Sequence, residues 1–100
     1  MSYKFSLHPD TQKDFTEAYE WYQDKTEGLG ERFLKAVRKK IEEIATNPEI
    51  YGSKGRKGYR EAKLNLFPYV IGFKIYEKKK SIFISSIHHL KKHPNKKYRK

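Results

Sequence analysis

The chain has 100 residues, a formal net charge of +11 and no cysteine, so it offers no disulfide, thiolate nucleophile or cysteine-ligated zinc. That length makes one domain, 1–100, able to bury roughly 60–65% of the surface its unfolded chain exposes. No run reaches the ~18–20 apolar residues of a membrane span, and Met1-Ser2-Tyr3-Lys4-Phe5 lacks the apolar core of a secretion signal, so the expected location is the cytoplasm, away from membranes.

Tyr3-Lys4-Phe5-Ser6-Leu7-His8 alternates apolar and polar side chains and predicts a short strand with one buried face. Pro9 stops it and, with Asp10, opens a helix, where a missing N–H costs nothing and a carboxylate suits the positive end of the helix dipole. Phe15, Ala18, Tyr19 and Tyr22 then form one stripe at helical spacing, with Asp14, Glu17, Glu20 and Asp24 elsewhere. Trp21 falls outside that stripe, so it either covers a neighbouring element or has its indole N–H anchored in a half-exposed place.

Gly28-Leu29-Gly30 punctuates two helices, since glycine takes the left-handed conformation that ends the first. In the second, Phe33, Val37, Ile41, Ile44 and Ala45 share a face, and Asn47-Pro48 ends it because a residue before proline avoids helical geometry. Glu49 to Gly58 reads as a surface loop carrying Lys54, Arg56 and Lys57. Strands follow at Tyr59–Leu64 and Val70–Tyr76, the latter led in by Phe67-Pro68-Tyr69. A lysine-rich turn at Glu77–Lys80 leads into a last strand over Ile82–Ile87. The order β-α-α-β-β-β predicts an α+β fold, an antiparallel sheet with the N-terminal helical hairpin on one face and a groove on the other.

Charge is not spread evenly. Residues 1–9 carry +1, residues 10–49 carry −3 and residues 50–100 carry +13, with six Lys/Arg and no acid in the basic C-terminal tail 91–100. A cationic field of that strength steers nucleic acid or an acidic protein towards the second half. A merely solvated lysine surface is the plainer reading.

Several words in this order resemble the RelE/ParE toxin superfamily over essentially the whole chain. They are Glu17-Ala18 with Trp21-Tyr22, Gly28-Leu29-Gly30 with Phe33, Asn47-Pro48 with Tyr51, Tyr59-Arg60 before Leu64, Phe67-Pro68-Tyr69, and His89 with Lys92 and Pro94. The resemblance implies a toxin of a type II toxin–antitoxin system, neutralised by a cognate antitoxin whose acidic and apolar segment folds on binding; a +13 half suits such a partner. It further implies one of two targets: the ribosome and its mRNA, cut without a metal, or gyrase. No cofactor is expected.

A metal-independent ribonuclease needs a base for the 2′-hydroxyl, cations for the crowded phosphate and an acid for the leaving oxygen. The candidates are His89, whose ordinary pKa of ~6.5 suits proton transfer, with Lys63, Lys92 and Tyr98. Glu61 and Lys63 share a parity opposite to Ala62 and Leu64, so if the latter pair faces the helices, the former faces the groove. Lys54, Arg56, Lys57, Arg60 and Arg99 are candidates for holding a target or nucleic acid. Four have a plain alternative: His89 as a strand-end hydrogen-bonding group, Lys63 as a solvated lysine, Arg60 as a stem packed under the helices with its head on Glu17 or Glu20, and Tyr98 as a packing ring. His88, His89 and His93 come from one short stretch with no carboxylate or cysteine beside them, so no metal site is expected.

One departure bears on the target. Nuclease members of the family typically carry an arginine after the tyrosine at the Tyr69 position; here it is Val70. They also commonly place Lys or Arg where this chain has Glu61. The wording is therefore closer to the ParE side, and a toxin that binds a protein target, with gyrase the family precedent, is the leading expectation. A ribosome-dependent mRNA endoribonuclease and a non-catalytic nucleic-acid-binding module are the alternatives.

Overall fold

Pro9 does what its chemistry dictates: it separates strand β1 (Lys4–Leu7) from helix α1 (Pro9–Lys25) in the computed structural model, which describes residues 2–52 and 58–90. The helix start is capped by His8, whose backbone is extended and whose Nδ1 accepts the Asp10 N–H at 3.0 Å. An imidazole nitrogen here takes the part usually played by a Ser or Asp oxygen, satisfying one of the orphan amides of the first turn. Ala18 and Tyr22 of the expected stripe are buried, joined by Thr11 and Asp14, while Phe15 and Tyr19 are half-buried.

The turn between the helices depends on its two glycines for different reasons. Gly28 has φ +87°, left-handed backbone that L side chains resist. Gly30 lies where helix α2 (Leu29–Thr46) comes against α1: its N–H donates to Gln23 Oε1 at 2.9 Å, and an added Cβ would lie 3.0 Å from the Tyr19 carbonyl oxygen. Beyond them α2 buries Phe33, Val37, Ile41, Ile44 and Ala45, the predicted face. Helix α2 ends before Asn47-Pro48, and Pro48–Ile50 form a short 3₁₀ turn that leads into the segment read as loop from Glu49.

Strands β2 (Tyr59–Lys63), β3 (Tyr69–Tyr76) and β4 (Ser81–His89) are antiparallel neighbours, and the sheet order is β1-β4-β3-β2. Strand β1 joins the far edge of β4 in parallel, from Lys4 opposite Ser81 to Leu7 opposite Ile84, so the sheet is mixed rather than wholly antiparallel. Parallel pairing needs a long connection, which the helical hairpin and the two intervening strands provide. Both helices lie on one face. There Ala62, Leu64, Ile71, Phe73, Ile82, Ile84 and Ile87 meet Ala18, Tyr22 and the α2 stripe in a single core. Phe33, fully buried, is the hub of that core, with ring centroids of Tyr22, Phe67 and Tyr69 within 5.2–5.3 Å of it or, for Phe15, at 5.6 Å.

One irregularity governs the rest. Gly72 pairs with Ser86 but Phe73 pairs with Ile84, so Ser85 is an extra residue in β4. Such a bulge reverses the parity of everything beyond it. Ile82 and Ile84 face the helices before the bulge, and Ile87 and His89 face them after it. Among the described residues, no helix is long and apolar enough to cross a membrane.

Candidate functional site

The face of the sheet away from the helices is a set of cross-strand rows fixed by register. Lys63, Val70 and His88 form one row, Glu61, Gly72 and Ser86 the next, and Tyr59, Lys74 and Phe83 a third. Lys63 is exposed, as the parity argument required, and Glu61 is half-buried beside it on the same face. Val70 and His88 are buried. Ser86 Oγ lies 3.1 Å from His88 Nδ1, a pair along one strand with residues two apart on the same side. Gly72 leaves the centre of this face without a side chain, between Glu61 and Ser86.

His89 is on the other side. Its ring stands 5.3 Å from that of Tyr69, edge to face, and Tyr69 in turn touches Tyr22 and Phe33. Tyr22, Tyr69 and His89 border a cleft of about 400 Å³ between α1 and the ends of β3 and β4, which Asp14, Glu17, Trp21 and His88 also line. Burial pushes the Tyr69 hydroxyl up from its ordinary pKa, and the nearby Glu17 carboxylate pushes the same way. Tyr22 is raised by burial and then by Tyr69. Trp21 is half exposed, its ring edge-on to Tyr22 at 5.1 Å and its face under Lys25 Nζ at 4.9 Å.

The structure therefore separates two of the residues that the ribonuclease reading needs together. Lys63 and His89 project from opposite faces, and the histidine that shares a face with Lys63 is His88. Sequence parity alone could not assign these two, because the bulge lies between them and the rest of β4. A signal was nonetheless present: the apolar positions 82, 84 and 87 break a period of two.

Arg60 faces the helix side, as its parity predicts, and its guanidinium donates to the Tyr51 carbonyl oxygen rather than pairing with Glu17 or Glu20. Tyr51 packs its ring edge against Phe73 at 5.8 Å, so Arg60 ties the chain after α2 to the start of β2. Lys54, Arg56, Lys57, Lys92, His93, Tyr98 and Arg99 lie outside the described residues. Among the described residues, no three His, Asp or Glu side chains converge as a metal-binding group.

Comparison with known proteins agrees with this architecture. The model of the ParE toxin of type II toxin–antitoxin systems, parDE, matches residues 5–94. No curated protein matches. Among solved structures, the chromosomal ParDE system from P. aeruginosa is similar at TM-score 0.72 and 16% identity, covering 90% of this chain and 98% of that one. The free-state mutant of the E. coli toxin RelE gives 0.65 and 18%, over 91% of this chain and 86% of that one. The RelBE2 toxin–antitoxin complex from Mycobacterium tuberculosis gives 0.67 and 17%, over 89% and 99%. At such identities these likenesses speak for the fold: a helical hairpin on a four-stranded sheet. With the family match running from β1 to beyond β4, this chain belongs to the ParE toxin family of type II toxin–antitoxin systems.

Proposed function

We propose that the chain arrests growth in the cytoplasm by binding a protein target, with gyrase the family precedent, and that a cognate antitoxin neutralises it. The observation that carries this reading is the Lys63–Val70–His88 row. Where the nuclease relatives implied by the resemblance carry a phosphate-binding arginine, this face holds a buried isopropyl group. A phosphate in a pentacovalent transition state gains nothing from it. The separation of Lys63 from His89 supports the same conclusion. The antitoxin follows from similar proteins solved as toxin–antitoxin complexes, RelBE and RelBE2, and from the strong positive charge of the second half of this chain. The test is induced expression with translation and DNA supercoiling read separately, followed by purified protein on gyrase. Cleavage of mRNA in the ribosomal A site with supercoiling untouched sinks the proposal.

A specific observation supports a ribonuclease as the second reading. His88, hydrogen-bonded to Ser86, lies in the same row as Lys63. On that reading His88, not His89, is the acid–base group, and His88→Gln lowers cleavage by about 10²–10⁴-fold.

A further inference from the structure

The third row of the face away from the helices differs in chemistry from the first two. Lys74 Nζ is held between two rings, 5.6 Å from the centroid of Tyr59 and 5.6 Å from that of Tyr76. Phe83 continues the row on β4, and the His8 ring tilts against it at 5.9 Å. Tyr59 is buried, while Tyr76 is 43% exposed and Phe83 and Lys74 are partly exposed. The adjoining turn adds exposed Lys78 and Lys79 against a single acid, Glu77. This patch is at the opposite end of the sheet from Lys63 and His88. Lys63 lies four residue steps along β2 from Tyr59, about 13 Å at ~3.3 Å per residue.

We propose that this row, with the lysines of the β3–β4 turn, is a binding surface for single-stranded nucleic acid, independent of the row at Lys63, Val70 and His88. The exposed ring area of Tyr76 and Phe83 beside the ammoniums of Lys74, Lys78 and Lys79 matches the two things an unpaired strand presents together: base faces that stack and phosphates that pair. The Lys74 ammonium between two tyrosines supplies charge where the rings supply flat apolar area, and the cation–π contacts hold the lysine in place. A purely acidic peptide such as polyglutamate would use the lysines but has no flat group for Tyr76 and Phe83. A duplex would use them as well but keeps its bases stacked inside.

The test is fluorescence anisotropy of the full chain with a labelled oligothymidylate of about 12 nucleotides, within the footprint of such surfaces. The same strand in duplex and a polyglutamate competitor are the controls. Expected are preference for the single strand, competition by polyglutamate far weaker than by unlabelled oligothymidylate, and a loss of about 5- to 100-fold in Tyr76→Thr, the scale of one base–ring stack. Tyr76→Phe keeps the affinity, because stacking needs the ring and not the hydroxyl. Lys74→Met lowers the salt dependence of log affinity by about one ion. Thermal melts check that each variant is folded, and exposed Tyr76 keeps the test valid if changes at Phe83 unfold the chain. Equal affinity for duplex, equal competition by polyglutamate, unchanged binding in folded Tyr76→Thr, or no binding at all overturns the proposal.

Discussion

Tyr69 and His89 stand opposite each other on β3 and β4 with their rings 5.3 Å apart, on the face that the helices cover. Lys63 projects from the other face, in the row of Val70 and His88. His89→Gln is therefore expected to leave growth arrest intact while lowering stability by about 0.5–1.5 kcal/mol, the value of an edge-to-face ring contact. For a domain of this size that is a fall in Tm of about 4–8 °C per kcal/mol. Viability on induction and a thermal melt check both parts. A folded His89→Gln that no longer arrests growth would give the histidine a direct role.

Arg60 carries a second expectation. Its guanidinium is spent on the Tyr51 carbonyl, beneath the helices, so its removal should act on folding rather than on a target. Arg60→Met keeps the apolar stem and loses the charge-assisted bond, costing about 1–3 kcal/mol in urea unfolding. Arg60→Lys recovers only part, since an ammonium lacks the planar fork of donors. If Arg60→Met melts like the parent and loses toxicity, the residue contacts the target after all.

The two glycines of the helix turn should respond differently to the same change. Gly28 has open space around it but φ +87°, so Gly28→Ala costs about 1–2 kcal/mol through backbone strain alone, and Gly28→Asn costs less. Gly30 has ordinary backbone but no room. Gly30→Ala costs about 1–3 kcal/mol by overpacking, and Gly30→Asn costs more than Gly30→Ala, the reverse of the order at Gly28. Chemical denaturation of the four variants decides it, and the same order at both positions would contradict this account.

Alkaline pH supplies a fourth prediction. Tyr19 is raised above the ordinary 10.0 mainly by its 2.6 Å bond to Glu31, and Tyr22, Tyr59 and Tyr69 mainly by burial. A raised folded-state pKa means that the folded chain holds protons the unfolded chain has released. Stability from these groups is thus fully present below about pH 10, and falls as pH rises through their folded-state values. Urea midpoints should be level from pH 8 to about 9.5 and drop beyond 10; a midpoint that rises above pH 10 contradicts the assignment. Tyr22→Phe and Tyr69→Phe should each make the drop shallower.

Much of this was legible in the residues because it is local. The α2 stripe from Phe33 to Ala45, the stop at Asn47-Pro48, the hairpin of β3 and β4 and the outward parity of Lys63 all follow from period and steric preference within a few residues. The His8 cap was less visible, since histidine is an uncommon residue there and its ring nitrogen reveals nothing until the backbone places it beside the Asp10 N–H. The aromatic row of Tyr59, Lys74 and Phe83 joins residues from three strands and has no signature in any one of them.

By itself, then, the sequence determined the order of elements, the face each helix buries, the cationic second half and the resemblance to RelE/ParE toxins. Tertiary structure decided which histidine shares a face with Lys63, which partner Arg60 takes and that β1 runs parallel to β4. The reason is the same in each case. Periodicity is a property of one segment, whereas side-chain direction beyond a bulge, strand direction and hydrogen-bond partners depend on what another segment places opposite. One extra residue at Ser85 moves His89 to the helix side and His88 to the face of Lys63, and only pairing with β3 reveals it.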